Sequence, residues 1–145
     1  MSKVKTITEE WIKKHNPCSE ALEWYGDYIG KPPIEILNRL IKAKKYQWAN
    51  WFIVRVMTYK QYVSYAVYAE EQVIDIFEKK YPDDKRPRLA IEAAKKCIKN
   101  PSKENRAAWA TAWEAGATAW AAAWAAADST RLKIFKYGMG LLGDE

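Results

Sequence analysis

The chain of 145 residues contains one histidine, His15, and that scarcity removes much chemistry. Zinc sites built on several imidazoles and paired-histidine metal motifs need more histidine than is present, and any Ser-His-Asp triad would have to rest on His15 alone. No G-x-x-x-x-G-K is present, and although "GMGLLG" at 138–143 has the G-x-G-x-x-G spacing, no strand pattern precedes it, so a phosphate-cradling loop is not indicated. Two cysteines, Cys18 and Cys97, do not make a disulfide framework, and reduced thiols are expected. The N-terminal "MSKVKTITEEWIKKHN" lacks the apolar core of a signal peptide, which points to the cytoplasm. Residues 107–127 are long enough for a bilayer, but alanine is weakly apolar, and Glu114 and two threonines interrupt the run. No membrane span is expected. His15 and Cys18 lie three apart with no visible orienting group, and the adjacent carboxylates Glu70-Glu71 and Asp83-Asp84 read as solvation and capping. No catalytic residue, metal or cofactor is expected.

Aromatic residues are abundant, and four of the eight tryptophans fall in "WATAWEAGATAWAAAW", residues 109–124. Trp109 to Trp120 and Trp113 to Trp124 are each eleven residues apart, three turns of a slightly wide helix. The four rings share one face within about 60° of the wheel, and alanine smooths the rest of the cylinder for close helix packing. The expectation is a long helix with one aromatic ridge, Ser102 as its N-cap, Trp120 and Trp124 in the core and Trp109 free to stack on a ligand.

No alternating strand pattern appears anywhere. "ITEEWIKKH" reads as a short helix, and a second one ends at Gly26 with Pro17 at its first position. "KPPIEILNRLIKAKK" is amphipathic through Ile34, Leu37, Leu40 and Ile41. Residues 46–81 form one long helix or two with a bend near Thr58. Tyr62, Tyr65, Ala66, Ala69, Val73, Ile76 and Phe77 lie on its core face, and Tyr68 is turned away. "DDKRP" is a loop, and Pro87 opens a helix whose polar stripe is Arg88, Glu92, Lys95 and Lys99, opposite Leu89, Ala90, Ala93, Ala94, Cys97 and Ile98. Asp128 restarts the chain in a last helix. The fold class is all-α: one domain over 1–145, a compact bundle of about six to eight helices with a long Ala/Trp-rich C-terminal helix.

Charge is uneven. Residues 79–106 hold ten basic and four acidic side chains, a difference of +6 that equals the net charge of the whole chain. Arginines also accompany aromatics. On a continuous helix 46–62, Arg55 shares a face with Trp48, Trp51, Phe52, Tyr59 and Tyr62, and Arg106 precedes Trp109 and Trp113 on their stripe. Such a pattern is either internal packing, as cation–π pairs or buried against a carboxylate such as Glu70, or a pocket for a planar anion, whose base stacks and whose phosphate pairs with arginine. The candidate ligand-binding set is Arg55, Tyr59, Tyr62, Arg86, Arg88, Arg106, Trp109 and Trp113.

The stretch "AVYAEEQVIDIFEKKYPDDKRPRLAIEAAKK", preceded by "CSEALEW" and followed by the Ala-rich aromatic helix, resembles a known family. These are the all-α immunity proteins of bacterial polymorphic-toxin loci, fifth class, with relatives in phages. The resemblance is most specific over residues 77–93, where Asp84, Arg86, Pro87 and Arg88 sit. It implies a small helical, non-catalytic protein that protects by binding, and supplies no ligand residues. An inhibitor of a nuclease toxin should be acidic, to complement a phosphate-binding surface, and this chain is basic. The partner is therefore an acidic or non-nuclease protein, or a small anion. The expected function is a phage or mobile-element protein that sequesters an anionic nucleotide-type immune signal; the alternative is an immunity protein that binds and blocks a toxin domain. Neither a DNA duplex nor a membrane is an expected partner, and homo-oligomerisation is open.

Overall fold

The computed structural model describes residues 4–115 and 128–143, with backbone alone at 112–115. The chain is all-α, as its patterning predicts. Among the described residues there are nine helices, one more than the upper expectation: α1 Glu9–His15, α2 Ser19–Gly26, α3 Pro33–Lys42, α4 Tyr46–Val56, α5 Tyr59–Glu71, α6 Ile74–Lys80, α7 Arg86–Lys99, α8 Lys103–Ala115 and α9 Asp128–Gly143. They group into two compact units, residues 1–58 with 138–145, and residues 59–137.

In the first unit, Thr8 caps α1 by accepting from the Trp11 amide, and Asn16 ends it in the left-handed conformation that asparagine tolerates. Cys18, not Pro17, is the N-cap of α2, so Pro17 stands just before the helix. Ile7 and the loop after α2 hold each other: the Ile7 N–H donates to Lys31 O at 3.0 Å, and Gly30 N–H to Ile7 O at 2.7 Å. Gly30 has φ +89°, a region open to glycine without strain. α3 packs on α4, burying Ile36, Leu37 and Leu40, and Phe52, Ile53 and Val56. Tyr25 of α2 is fully buried, stacked on Phe52 at 5.7 Å, and its hydroxyl donates to Trp48 O at 3.1 Å. Burial raises its pKa well above the ordinary phenol value, and Arg55 opposes that rise.

The second unit is built on α7, which packs against both α5 and α8. Its core joins Val63, Ala66 and Val67 to Ile91, Ala94, Cys97 and Trp109. Alanines at 90 and 94 let neighbouring backbones approach. Ser102 caps α8 as expected, accepting from the Asn105 amide at 3.1 Å. Tyr65 is buried, whereas Tyr68 stacks face to face on Tyr137 at 4.0 Å.

Three expectations are corrected. Residues 46–81 form three helices, because Met57 is extended and the chain turns again at Gln72 and Val73. The second turn shifts the helical phase, so Phe77 is buried while Ile76 is 68% exposed. On α7 the inward residue is Ile91, and Leu89 is 54% exposed. Trp120, Trp124 and Gly116 lie outside the described residues, as does the side chain of Trp113.

Candidate functional site

The break at Met57 separates Arg55 from the tyrosines with which a continuous helix would have aligned it. Arg55 belongs to the first unit, where it lies over the Trp51 ring at 4.3 Å and donates to Trp51 O at 2.7 Å. A guanidinium seated on an indole and bonded to the last turn of its own helix reinforces α4.

Tyr59, Tyr62, Arg106 and Trp109 are brought together in the second unit. Trp109 meets the two tyrosine rings edge-on, at 5.9 Å and 5.6 Å, and is only 6% exposed. The ring expected to stand open for stacking is thus part of the core. Arg106 lies over Tyr59 at 4.4 Å, with its Nε donating to Pro101 O at 3.1 Å. The Tyr59 hydroxyl is 3.5 Å from Cys97 Sγ; burial, then this contact, pushes its pKa up to about 12. The phenol is therefore protonated at neutral pH.

Arg86 and Arg88 stand at the start of α7, and both are engaged by carboxylates. Asp84 accepts from Arg86 Nε at 2.8 Å, from Nη2 at 2.6 Å and from the Arg86 amide at 3.1 Å. This planar fork holds the Asp84 pKa down to about 2 and raises that of Arg86. Arg88 donates to Glu78 through Nη2 at 2.5 Å and Nε at 3.2 Å, lowering the Glu78 pKa. Further along α7, Lys95 pairs with Glu71 at 3.3 Å. These pairs are exposed, so their net contribution to stability is small, but they fix the arginines in place.

The ion pairs frame a feature that the sequence reading missed. Residues 80–86 and Leu89 line a cleft of about 640 Å³ on the loop between α6 and α7. Its lining includes Tyr81, 47% exposed, and Leu89. Lys80 reaches over the Tyr81 ring at 5.5 Å. The signal was available for Leu89: residues three and seven further on are Glu92 and Lys96, which are exposed, so Leu89 shares a polar face. Among the described residues no group of three His, Cys, Asp or Glu side chains could hold a metal ion, and no helix is long and apolar enough to cross a membrane. His15, the single imidazole, donates from Nδ1 to Trp11 O at 2.8 Å and packs on the Trp11 ring at 4.3 Å.

An all-α chain with prearranged charges around exposed apolar side chains is built like a binding protein. Comparison with known families agrees: residues 54–137, more than half of the chain, match the model described as "Imm-5 like putative immunity protein". The chain belongs to this immunity protein family, which supports a neutralising role. The match spans the whole contiguous second unit, including Tyr81, Arg86, Arg88 and Leu89. No curated protein and no solved structure matches the chain.

Proposed function

We propose that the chain neutralises a toxin domain by binding it directly, without catalysis, through the surface formed by the α6–α7 loop and the first turns of α7. The observation that carries this is the juxtaposition of exposed Tyr81 and Leu89 with Arg86, whose guanidinium Asp84 already orients. Tyrosine and arginine dominate the energetics of protein interfaces, and a prearranged arginine loses less freedom on binding. The surplus of six positive charges over residues 79–106 selects a partner with an acidic contact face. This is the alternative raised by the sequence. It is favoured because exposed apolar side chains, Tyr81 and Leu89, stand beside Arg86, as a protein interface needs and a phosphate site does not.

One observation supports the second reading, sequestration of an anionic nucleotide-type signal. Arg106 is exposed while its plane is fixed on Tyr59, so the guanidinium is oriented at the surface. The test is co-expression with a panel of toxin domains from polymorphic-toxin loci, followed by calorimetric titration with any domain that is neutralised. Leu89→Asp and Arg86→Glu should each abolish the protection and weaken the complex at least about tenfold, the effect of losing one hot-spot residue. Protection that persists in both variants overturns this surface. Protection without a complex, but with a nucleotide bound to the purified chain, selects the second reading.

A further inference from the structure

The first unit holds a cavity that the proposed toxin-binding surface does not use. Between the start of α2 and the exposed side of α4, Cys18, Ala21, Tyr25, Gln47, Trp48 and Trp51 line a slot of about 240 Å³. We propose that this slot binds a planar aromatic anion. Its volume falls below the ~300–1,000 Å³ of pockets for drug-sized ligands, so it suits one ring system, single or fused. Its accessible walls are the half-buried indoles of Trp48 and Trp51, backed by the fully buried Tyr25 ring, whose centroid lies 6.5 Å from that of Trp48 and 5.7 Å from that of Trp51. These rings are held rather than loose: the Tyr25 hydroxyl is bonded to Trp48 O, and Tyr25 also stacks on Phe52. Aromatic walls stack any flat ring, so charge must supply the selectivity.

That charge is positive. Lys45 Nζ sits 4.2 Å from the centre of the Trp48 ring, and Arg55 lies over Trp51. None of the lining residues is a carboxylate. Neither cation lines the slot itself, but one against each of its indoles gives the site a positive field that favours an anionic ring over a cationic one. Gln47 is exposed and brings an amide that donates to a carboxylate or sulfonate, and Cys18 places an exposed thiol in the lining.

Cys18 makes the proposal measurable, because Cys97 is buried and alkylation is therefore confined to one thiol of the folded chain. The probe is 2-naphthoate, compared with cyclohexanecarboxylate, which lacks the π-system, and 2-naphthalenemethanol, which lacks the charge. Iodoacetamide modification of Cys18 is followed by mass spectrometry, and binding is measured by calorimetry. At ten times its Kd, 2-naphthoate should slow Cys18 alkylation about tenfold, in proportion to the unliganded fraction. Cyclohexanecarboxylate should give no protection. Lys45→Gln should weaken 2-naphthoate several-fold and leave 2-naphthalenemethanol unchanged, and Ala21→Leu should fill the slot and remove protection. Because Ala21 is buried, its variant is scored only if it unfolds at the wild-type temperature; Lys45→Gln, at the surface, decides otherwise. No protection by either naphthyl compound at millimolar concentration overturns the site. Equal binding of the acid and the alcohol overturns its preference for an anion. Both results leave the toxin-binding surface of the second unit untouched.

Discussion

Glu70 and Glu71 are neighbours on α5 with opposite fates, and the difference yields a test of the packing of the second unit. Glu71 is exposed and paired with Lys95, whereas Glu70 is only 2% exposed, with Oε1 lacking a hydrogen-bond partner among the described residues. The expectation that both carboxylates are solvated therefore fails for Glu70. Burial pushes its pKa from 4.5 up to about 7. The folded state thus holds the proton more tightly than the unfolded state. The penalty is absent below the unfolded pKa, grows as pH rises through the interval from 4.5 to about 7, and is complete above it. At 1.36 kcal/mol per unit the full penalty is roughly 3 kcal/mol. Glu70→Gln mimics the protonated acid and should remove most of it. At pH 8 the variant should melt roughly 6–12 °C above the parent, at ~2–4 °C per kcal/mol for a chain of this size. At pH 5 the gap should shrink to about a quarter of that. The assay is calorimetric unfolding of both proteins from pH 5 to 8. Asp84 does not enter this window, because its pKa is held down from 3.8 to about 2 and the stability it contributes is lost only as pH falls through that lower interval. Parallel pH profiles, or a variant less stable at every pH, would refute the assignment of Glu70 as a buried, unpaired acid.

The aromatic centre of the second unit makes a further prediction: Trp109→Ala should cost ~3–5 kcal/mol, the cost of a large core truncation, measured by denaturant unfolding. Arg106→Ala should leave the fold intact, within about 1 kcal/mol, because only an exposed stacking contact and one bond to Pro101 O are lost. Replacing Leu89 by Asp should not lower the melting temperature, since a half-exposed side chain with polar neighbours contributes little burial; a large loss would place Leu89 in the core. Salt should slow association with a neutralised toxin more than it speeds dissociation, as expected when the field of residues 79–106 steers encounter; a salt-independent on-rate in stopped flow would contradict this.

How far the sequence could be read follows from what each signal measures. Helix existence was legible because capping and breaking residues act locally: Ser102 caps α8, Asn16 and Pro17 separate α1 from α2, and Pro87 lies in the first turn of α7. The break at Met57 was anticipated as a bend near Thr58, but the one at Gln72 was not, since it carries neither glycine nor proline. Those breaks change the phase of everything that follows, and so they also displaced Arg55 from Tyr59 and Tyr62 and turned Ile76 outward. The candidate arginines were visible as charges, but their carboxylate partners lie two and ten residues away, at loop and inter-helix spacings that a helical wheel does not show. The exposed apolar residues around the α6–α7 cleft were hardest to find. Hydrophobicity alone assigns Leu89 to the core, and only its polar neighbours on the wheel argue otherwise.

The central claim is that the second unit meets its partner through the α6–α7 surface, and site-specific photo-crosslinking tests it most directly. A photoreactive side chain is placed at Leu89, at Tyr81 or, as a comparison, at Leu22, an exposed apolar residue of α2 in the first unit. Cells co-expressing a toxin domain that the chain neutralises are then irradiated. The account predicts a covalent adduct with the toxin from positions 89 and 81 and none from 22. An adduct from position 22 with none from 89 or 81 would contradict it.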